Sequence, residues 1–292
     1  MTAKAQPRHD GQAMGIDKAD VIALHPSFSW RRVVAMVQRY WYLLRSSWPR
    51  VLDLIYWPTV QMVMWGFLQV YISQQSGGGA LARAGETFLG AVMLWDMLFR
   101  GQLGFSISFL EEMYSRNLSN LLISPLRPME FVMSLMIMSI IRLTVGMVPV
   151  TILAILFFGF NLWGLGLALA AFFANLMLTG WAVGIFVSGL LLRHGLGAEN
   201  MAWSIMFLLL PLTCVYYPVG VLPDWLQLVA WSLPPTYVFE GMRALLLQQV
   251  FRADLMLQAF AINIALFGLA ILSFLGFLRS SRDVGSLLAG GE

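Results

Sequence analysis

The chain has 292 residues, 59% hydrophobic and 11% charged, with a formal net charge of +3 and a mean hydropathy of +0.74. Several apolar runs exceed the roughly 20 residues that cross a bilayer, and Leu162 to Leu192 carries no charged side chain, which excludes an ordinary soluble enzyme. The positive charge is mostly arginine beside the apolar runs, so it reports membrane topology and not nucleic-acid binding, and the single Cys214 allows neither an intramolecular disulfide nor a cysteine-cluster metal site.

Residues 1–26 mix charges with Gly and Pro and lack the apolar core of a cleavable signal, which predicts a disordered cytoplasmic tail. Residues 27–50 read as an amphipathic interfacial helix. Arg31, Arg32, Gln38, Arg39, Arg45 and Ser46 recur every seven residues, opposite Trp30, Val33, Val34, Val37, Trp41 and Leu44. Such a helix is expected to lie along an anionic membrane surface with its arginines among the lipid head groups, and its basic face also suits a cytosolic partner. Residues 51–280 then form an all-α polytopic membrane domain of six transmembrane helices, near 51–72, 88–110, 131–158, 162–192, 201–222 and 258–278, and residues 281–292 a second cytoplasmic tail. Six spans put both termini on one side. Arg31, Arg32, Arg39, Arg45, Arg50, Arg116, Arg127, Arg193, Arg279 and Arg282 flank that side against Arg83, Arg243 and Arg252 on the other, which makes it the cytoplasmic one.

Within the spans an ionised side chain costs about 2.5–3.5 kcal/mol on insertion scales and normally faces protein or water. Asp96 and Arg100 lie four apart and can pair on one helix face, with Arg142 of the third span able to join them. Two readings stand: a substrate-facing or gating network, or an ion pair that fixes packing. Between the second and third spans, "EEMYSRNLSNLLISPLRPMEF" interrupts the apolar sequence. Ser115 is a reasonable helix cap, Leu118, Leu121 and Leu122 share one apolar face, Pro125 stops the helix and Pro128 starts the next span. This short helix either engages a partner or covers its own bundle. Residues 223–257 are too polar to span and too apolar to float free, and the pair Pro234 and Pro235 divides them. They read as two short outer-leaflet helices, or as an amphipathic hairpin flat on the surface.

Catalytic patterns are missing from the sequence. Lysine occurs only at Lys4 and Lys18, neither after a glycine-rich phosphate loop, so any ATP must bind to another chain; His9, His25 and His194 are too scattered for a zinc protease, and no Gly-x-Ser-x-Gly elbow is present. No catalytic, cofactor or metal residue is assigned.

"SRNLSNLLISPLRPMEF" resembles the loop after the second span in permease subunits of the type 2 ABC exporter family, where a polar helix ends in Ser-Pro-Leu or Thr-Pro-Leu, then Arg and Glu. "LPPTYVFEGMRALL" is similar to that family's segment before the last span, with "PPTY" in place of the more common Asn-Pro or Asp-Pro opening. The resemblance covers about residues 27 to 280. It implies the transmembrane permease subunit of an ATP-driven exporter in a bacterial inner membrane, paired with a second permease copy and a cytoplasmic ABC ATPase that binds ATP and Mg. By the same resemblance Glu111, Glu112, Arg116, Leu118, Leu121, Leu122 and Arg127 belong to a cytoplasmic coupling helix, Arg31, Arg32 and Arg39 to the interfacial helix beside it, and Glu240 and Arg243 to the outer motif. The implied substrates are amphipathic, lipid-linked, saccharide or drug-like molecules. A proton-coupled secondary transporter and a non-transporting membrane scaffold are the alternatives; the first would call for an unpaired membrane carboxylate.

Overall fold

The structure, a computed structural model, describes residues 28–75 and 80–284. The tail expected at residues 1–26 and most of that expected at 281–292 lie outside the described residues. Among the described residues every regular element is helical. In chain order these are α1 (Trp30–Arg45), α2 (Trp48–Gln75), α3 (Ala80–Tyr114), α4 (Leu118–Ile123), α5 (Pro128–Phe158), α6 (Leu167–His194), α7 (Met201–Leu212), α8 (Asp224–Trp231), α9 (Pro234–Gln248) and α10 (Ala253–Val284). Short 3-10 turns occur at Leu162–Leu165, Gly195–Ala198 and Val219–Val221.

Among the described residues, four helices are long and apolar enough to cross a membrane, at Trp48–Gln74, Pro128–Phe158, Leu167–Ala198 and Ala253–Ser281. They cover the first, third, fourth and sixth expected spans. The second expected span, 88–110, lies inside α3, an unbroken helix of 35 residues whose Asp96, Arg100 and Gln102 dilute its hydropathy. The fourth starts later than expected, because the backbone turns at Gly166 (φ 56°) before α6 begins. The fifth departs most: α7 ends at Leu212, one residue after Pro211, and its 12 residues rise only about 18 Å. Cys214 follows in the left-handed region (φ 53°), and Pro218 introduces the Val219–Val221 turn.

The central helix is α6, which packs along α10 on one side and α3 on the other, while α5 holds α2, α3 and α1. Glycines permit two of these approaches. A Cβ at Gly146 of α5 would sit 2.6 Å from the Leu54 carbonyl oxygen of α2, and one at Gly180 of α6 would sit 3.1 Å from both Leu98 O and Gln102 N of α3. Close backbone contact is a principal source of helix association inside lipid, where burial from water contributes nothing. A hydrogen-bond cluster adds to it: Thr179 Oγ1 donates to Asn263 Oδ1 at 2.7 Å, and Asn263 Nδ2 donates to Asn175 Oδ1 at 3.2 Å, joining α6 to α10.

Among the described residues two large apolar cores fill the bundle, beside a small third one at Cys214, Val219 and Ala230. The proximal core, at the end carrying α1 and α4, gathers Tyr40 and Leu44, Phe105 and Phe109, Phe131 and Leu135, Ile185 and Leu191, and Phe274. The distal core gathers Leu94 and Leu98, Met147 and Val150, Phe172 and Leu176, and Phe239 and Met242. Val33, Met36, Tyr40 and Leu44 form the one face of α1 that is buried.

Candidate functional site

The proximal connection from α3 to α5 is a tight hairpin. Arg116 takes the left-handed conformation (φ 51°) that lets the chain leave α3, and its N–H donates to Met113 O at 3.0 Å. Ser115 does not cap α4 as its position suggested. Its hydroxyl donates back to Glu112 O at 3.2 Å, and Asn117 occupies the residue before α4. Leu118 and Leu121 turn inward with Leu126 onto Phe109, Phe131, Leu192 and Phe274. The outward face is Tyr114, Arg116, Asn120, Pro125 and Met129, all exposed. Arg127 is half-buried at the start of α5, and the side chain of Leu122 lies outside what is described. Partial burial, then a hydrogen bond to Glu199, pushes the Tyr114 hydroxyl up to about 12, so it stays a donor to the loop preceding α7.

Three carboxylates pin this hairpin from behind. Glu130, fully buried, accepts from Ser29 N (2.8 Å), Arg32 Nε (2.8 Å), Arg32 Nη2 (2.6 Å) and Arg127 N (3.0 Å), which locks the first turn of α5 to the start of α1. Glu112, also buried, pairs with Arg39 at 2.7 Å and accepts from Asn117 Nδ2 at 2.8 Å. Burial, and then the Glu112 carboxylate, hold the Tyr40 hydroxyl well above its usual pKa, so it remains neutral beside that pair. Glu111 pairs with Arg142 of α5 at 2.9 Å and with Arg50 of α2 at 3.4 Å. The basic face of α1 is therefore divided. Arg32 and Arg39, seven residues apart, are drawn into the protein, while Arg31 and Arg45 point outward and are exposed.

Between α2, α3, α5 and α7 lies a cavity of about 320 Å³. Asp53, Arg100 and Arg142 give it charge, and Trp57, Phe99, Trp203 and Phe207 give it aromatic walls. Arg100 and Asp96 make the expected (i, i+4) pair at 3.5 Å. Arg142 does not join that pair through Asp96: it shares the cavity with Arg100 but donates to Glu111.

At the distal end, Glu240 and Arg243 of α9 brace the irregular chain after α7. Their carboxylate and guanidinium meet at 3.0 Å, Glu240 Oε1 accepts from Val219 N at 2.8 Å, and Arg243 Nη1 donates to Val215 O at 3.2 Å. Backbone polar groups outside regular helix need partners, and this pair supplies them to Val219 N and Val215 O.

The family model for ABC-2 type transporters matches residues 32–247, nearly three quarters of the chain. The chain belongs to the ABC-2 type transporter family. No curated protein matches it in a sequence search. This ABC-2 permease is a membrane transport component, and members of its family work with an ATPase partner. It has a proximal hairpin fastened by ion pairs to α1, α2 and α5, and a charged aromatic cavity between α2, α3, α5 and α7. Glu130, Asn117 and Gln61, the last also lining the cavity, were not singled out from the sequence, and Arg50 entered only as one of the arginines that set topology. Of these only Glu130 carries a local signal. A carboxylate at the third helical position, counting Pro128 as the first, is the acidic half of a capping pattern, and it accepts the Arg127 N–H in that manner.

Proposed function

We propose that this permease is one half of an ATP-driven exporter, with α4 and its flanking turns as the element that receives force from a separate cytoplasmic ATPase. Each copy crosses the membrane six times, with α3 and the α7 segment as the second and fifth crossings and both termini in the cytoplasm of a bacterial inner membrane. Two copies pair, and the open side of the 320 Å³ cavity, between the exposed aromatic faces of α2 and α7, forms the substrate path. The charged aromatic lining suits an amphipathic, saccharide-bearing, lipid-linked or drug-like molecule leaving the cytoplasm or inner leaflet.

One observation carries this reading. Glu111 and Glu112 at one end of the hairpin and Glu130 at the other tie it to α1, α2 and α5, so a push on its exposed face moves those helices together. A surface loop that merely covered the bundle would need the inward leucines but not this charged fastening. Against the secondary-transporter alternative, the buried carboxylate Asp96 is paired with Arg100, and Asp53 is exposed close to the proximal end of α2.

The inward orientation of Leu121 decides how to test the idea. Leu121→Asp charges the protein's own core and is expected to lower thermal stability. Arg116→Glu with Met129→Glu changes only exposed residues, so the permease should fold and insert normally while recovery of a co-expressed tagged ATPase, transport and permease-stimulated ATP hydrolysis fall together. The isolated permease should hydrolyse no ATP. Full ATPase recovery and transport by the folded double variant would remove α4 as the coupling element, and nucleotide-saturable hydrolysis by the pure chain would remove the reading altogether.

A further inference from the structure

Helix α2 is held unevenly along its length. In its middle, Pro58, Met62 and Gly66 form a buried stripe at four-residue spacing, and the Phe158 ring of α5 is pressed onto Gly66. From Trp48 to Trp57, on the proximal side of that stripe, no residue is fully buried, and Trp48, Arg50, Asp53 and Trp57 are exposed. A segment with so few buried contacts moves at low cost.

Pro58 marks the change. It lies inside α2 and has no N–H, so Leu54 O loses its helical partner, and a proline at such a position kinks the helix. The orphaned carbonyl rests on α5 where Gly146 makes room: a Cβ there would sit 2.6 Å from Leu54 O. A carbonyl against bare glycine backbone interlocks no side chains, so α2 can rock on that contact.

Charge acts on the loosely held segment at two points. Arg50 reaches Glu111 of the hairpin at 3.4 Å. Asp53 lines the 320 Å³ cavity with Arg100 and Arg142, and makes no ion pair among the described residues. Arg142 is engaged by Glu111 at 2.9 Å. Arg100 is held more loosely, because its Nε lies 3.5 Å from Asp96 Oδ2 and makes no hydrogen bond. Arg100 Cδ is also 3.9 Å from the Cβ position of Gly146, so this side chain passes the point on which α2 rocks.

We propose that Trp48 to Trp57 is a lever hinged at Pro58 and that Asp53 is its latch: the lever swings toward α3, Asp53 pairs with Arg100, and the cavity closes. The form described above is the open one. Asp53 lies five residues before the hinge, about 7.5 Å along the axis, so a change of about 25° in the kink moves it by about 3 Å. Both forms are populated in the free permease, and through Arg50 and Glu111 a shift of the hairpin biases them. This rests on the exporter reading only in making the cavity part of the path; the motion needs neither nucleotide nor ATPase.

The test places a reporter thiol by Gln61→Cys, inside the cavity and beyond the hinge, in the full chain carrying Cys214→Ser, in lipid nanodiscs without nucleotide. Alkylation by iodoacetamide, a small neutral reagent, is followed by mass spectrometry, and size-exclusion chromatography scores folding. The rate follows the open fraction, so Asp53→Asn should speed alkylation about three-fold or more. With Pro58→Ala also present, the same substitution should leave the rate unchanged. Asp53→Glu keeps the latch charge and should label no faster than the parent. A direct effect of the Asp53 charge on the thiol would persist in the Pro58→Ala chain, whereas an effect through the hinge would not. Where Gln61→Cys lowers folded yield, Ile107→Cys reports on the same cavity. The proposal is overturned by an Asp53→Asn rate equal to the parent's, or by an increase that survives Pro58→Ala. Permease-stimulated ATP hydrolysis, scored on the same preparation with a partner ATPase, separates the two readings: its absence with the hinge response intact refutes the exporter alone.

Discussion

Neutralising Glu111 tests the fastening of the hairpin directly. Glu111→Gln keeps the side chain's shape and leaves the Arg142 guanidinium, 5% exposed, without the carboxylate now 2.9 Å away. Removing one partner of a buried ion pair costs about 3–5 kcal/mol. Here Glu111 is 16% exposed and Arg142 borders the 320 Å³ cavity, so water recovers part of the loss. We therefore expect about 2–3 kcal/mol, which at about 2–4 °C per kcal/mol lowers the melting temperature by about 5–10 °C. Arg50, the third member, has a side chain 49% exposed and sits 3.4 Å from Glu111; Arg50→Gln should change stability little. The assay is thermal unfolding of detergent-solubilised protein followed by size-exclusion chromatography, run as a double-mutant cycle with Arg142→Gln. The double variant should be scarcely less stable than either single one, giving a coupling of about 2 kcal/mol. Additive shifts, or a Glu111→Gln shift below about 2 °C, would refute the pairing as a stabilising element.

Two further outcomes follow from the packing. Gly146→Ala places a methyl group 2.6 Å from Leu54 O, so α2 must move away from α5; folded yield should fall, by about 1–3 kcal/mol of stability, whereas Gly220→Ala, with nothing within 4 Å of its added Cβ, should be tolerated. For Asp96 and Arg100, either single neutralisation leaves a buried charge alone, and the charge-swapped double variant should retain more inserted, monodisperse protein than either; a swap no better than the single variants would show that the 3.5 Å contact contributes nothing to folding.

The long apolar helices were legible because each is its own signal: α5, α6 and α10 satisfy their backbone internally and need only length and hydropathy to be recognised. The end of α7 was not legible for the opposite reason. Hydropathy stays high from Met201 to Leu222, and that masks the break after Pro211. What makes the break tolerable is supplied from elsewhere, by Arg243 reaching Val215 O and Glu240 reaching Val219 N. A window moving along the chain sees neither partner. The outer motif was thus visible as a pattern, while its work of holding an unwound segment was not.

The basic helix shows the same boundary at a functional position. Seven-residue spacing placed Arg32 and Arg39 on one stripe and Arg31, Gln38 and Arg45 on another, but spacing alone gives both stripes the same solvent-facing role. Their separation is decided by carboxylates far along the chain, Glu130 for Arg32 and Glu112 for Arg39. Those carboxylates stand where α3 ends and α5 begins, the two attachment points of the hairpin. A charged hairpin that only skirted the surface would aim its acids at water. This one aims Glu112 and Glu130 inward at α1, and leaves Arg116 and Asn120 facing out. On the proposed coupling reading, load applied to the outer face reaches α1 through Arg39 and Arg32, and α2 and α5 through Arg50 and Arg142. On the proposed reading, the face of α4 that a partner protein would meet lies opposite Leu118 and Leu121.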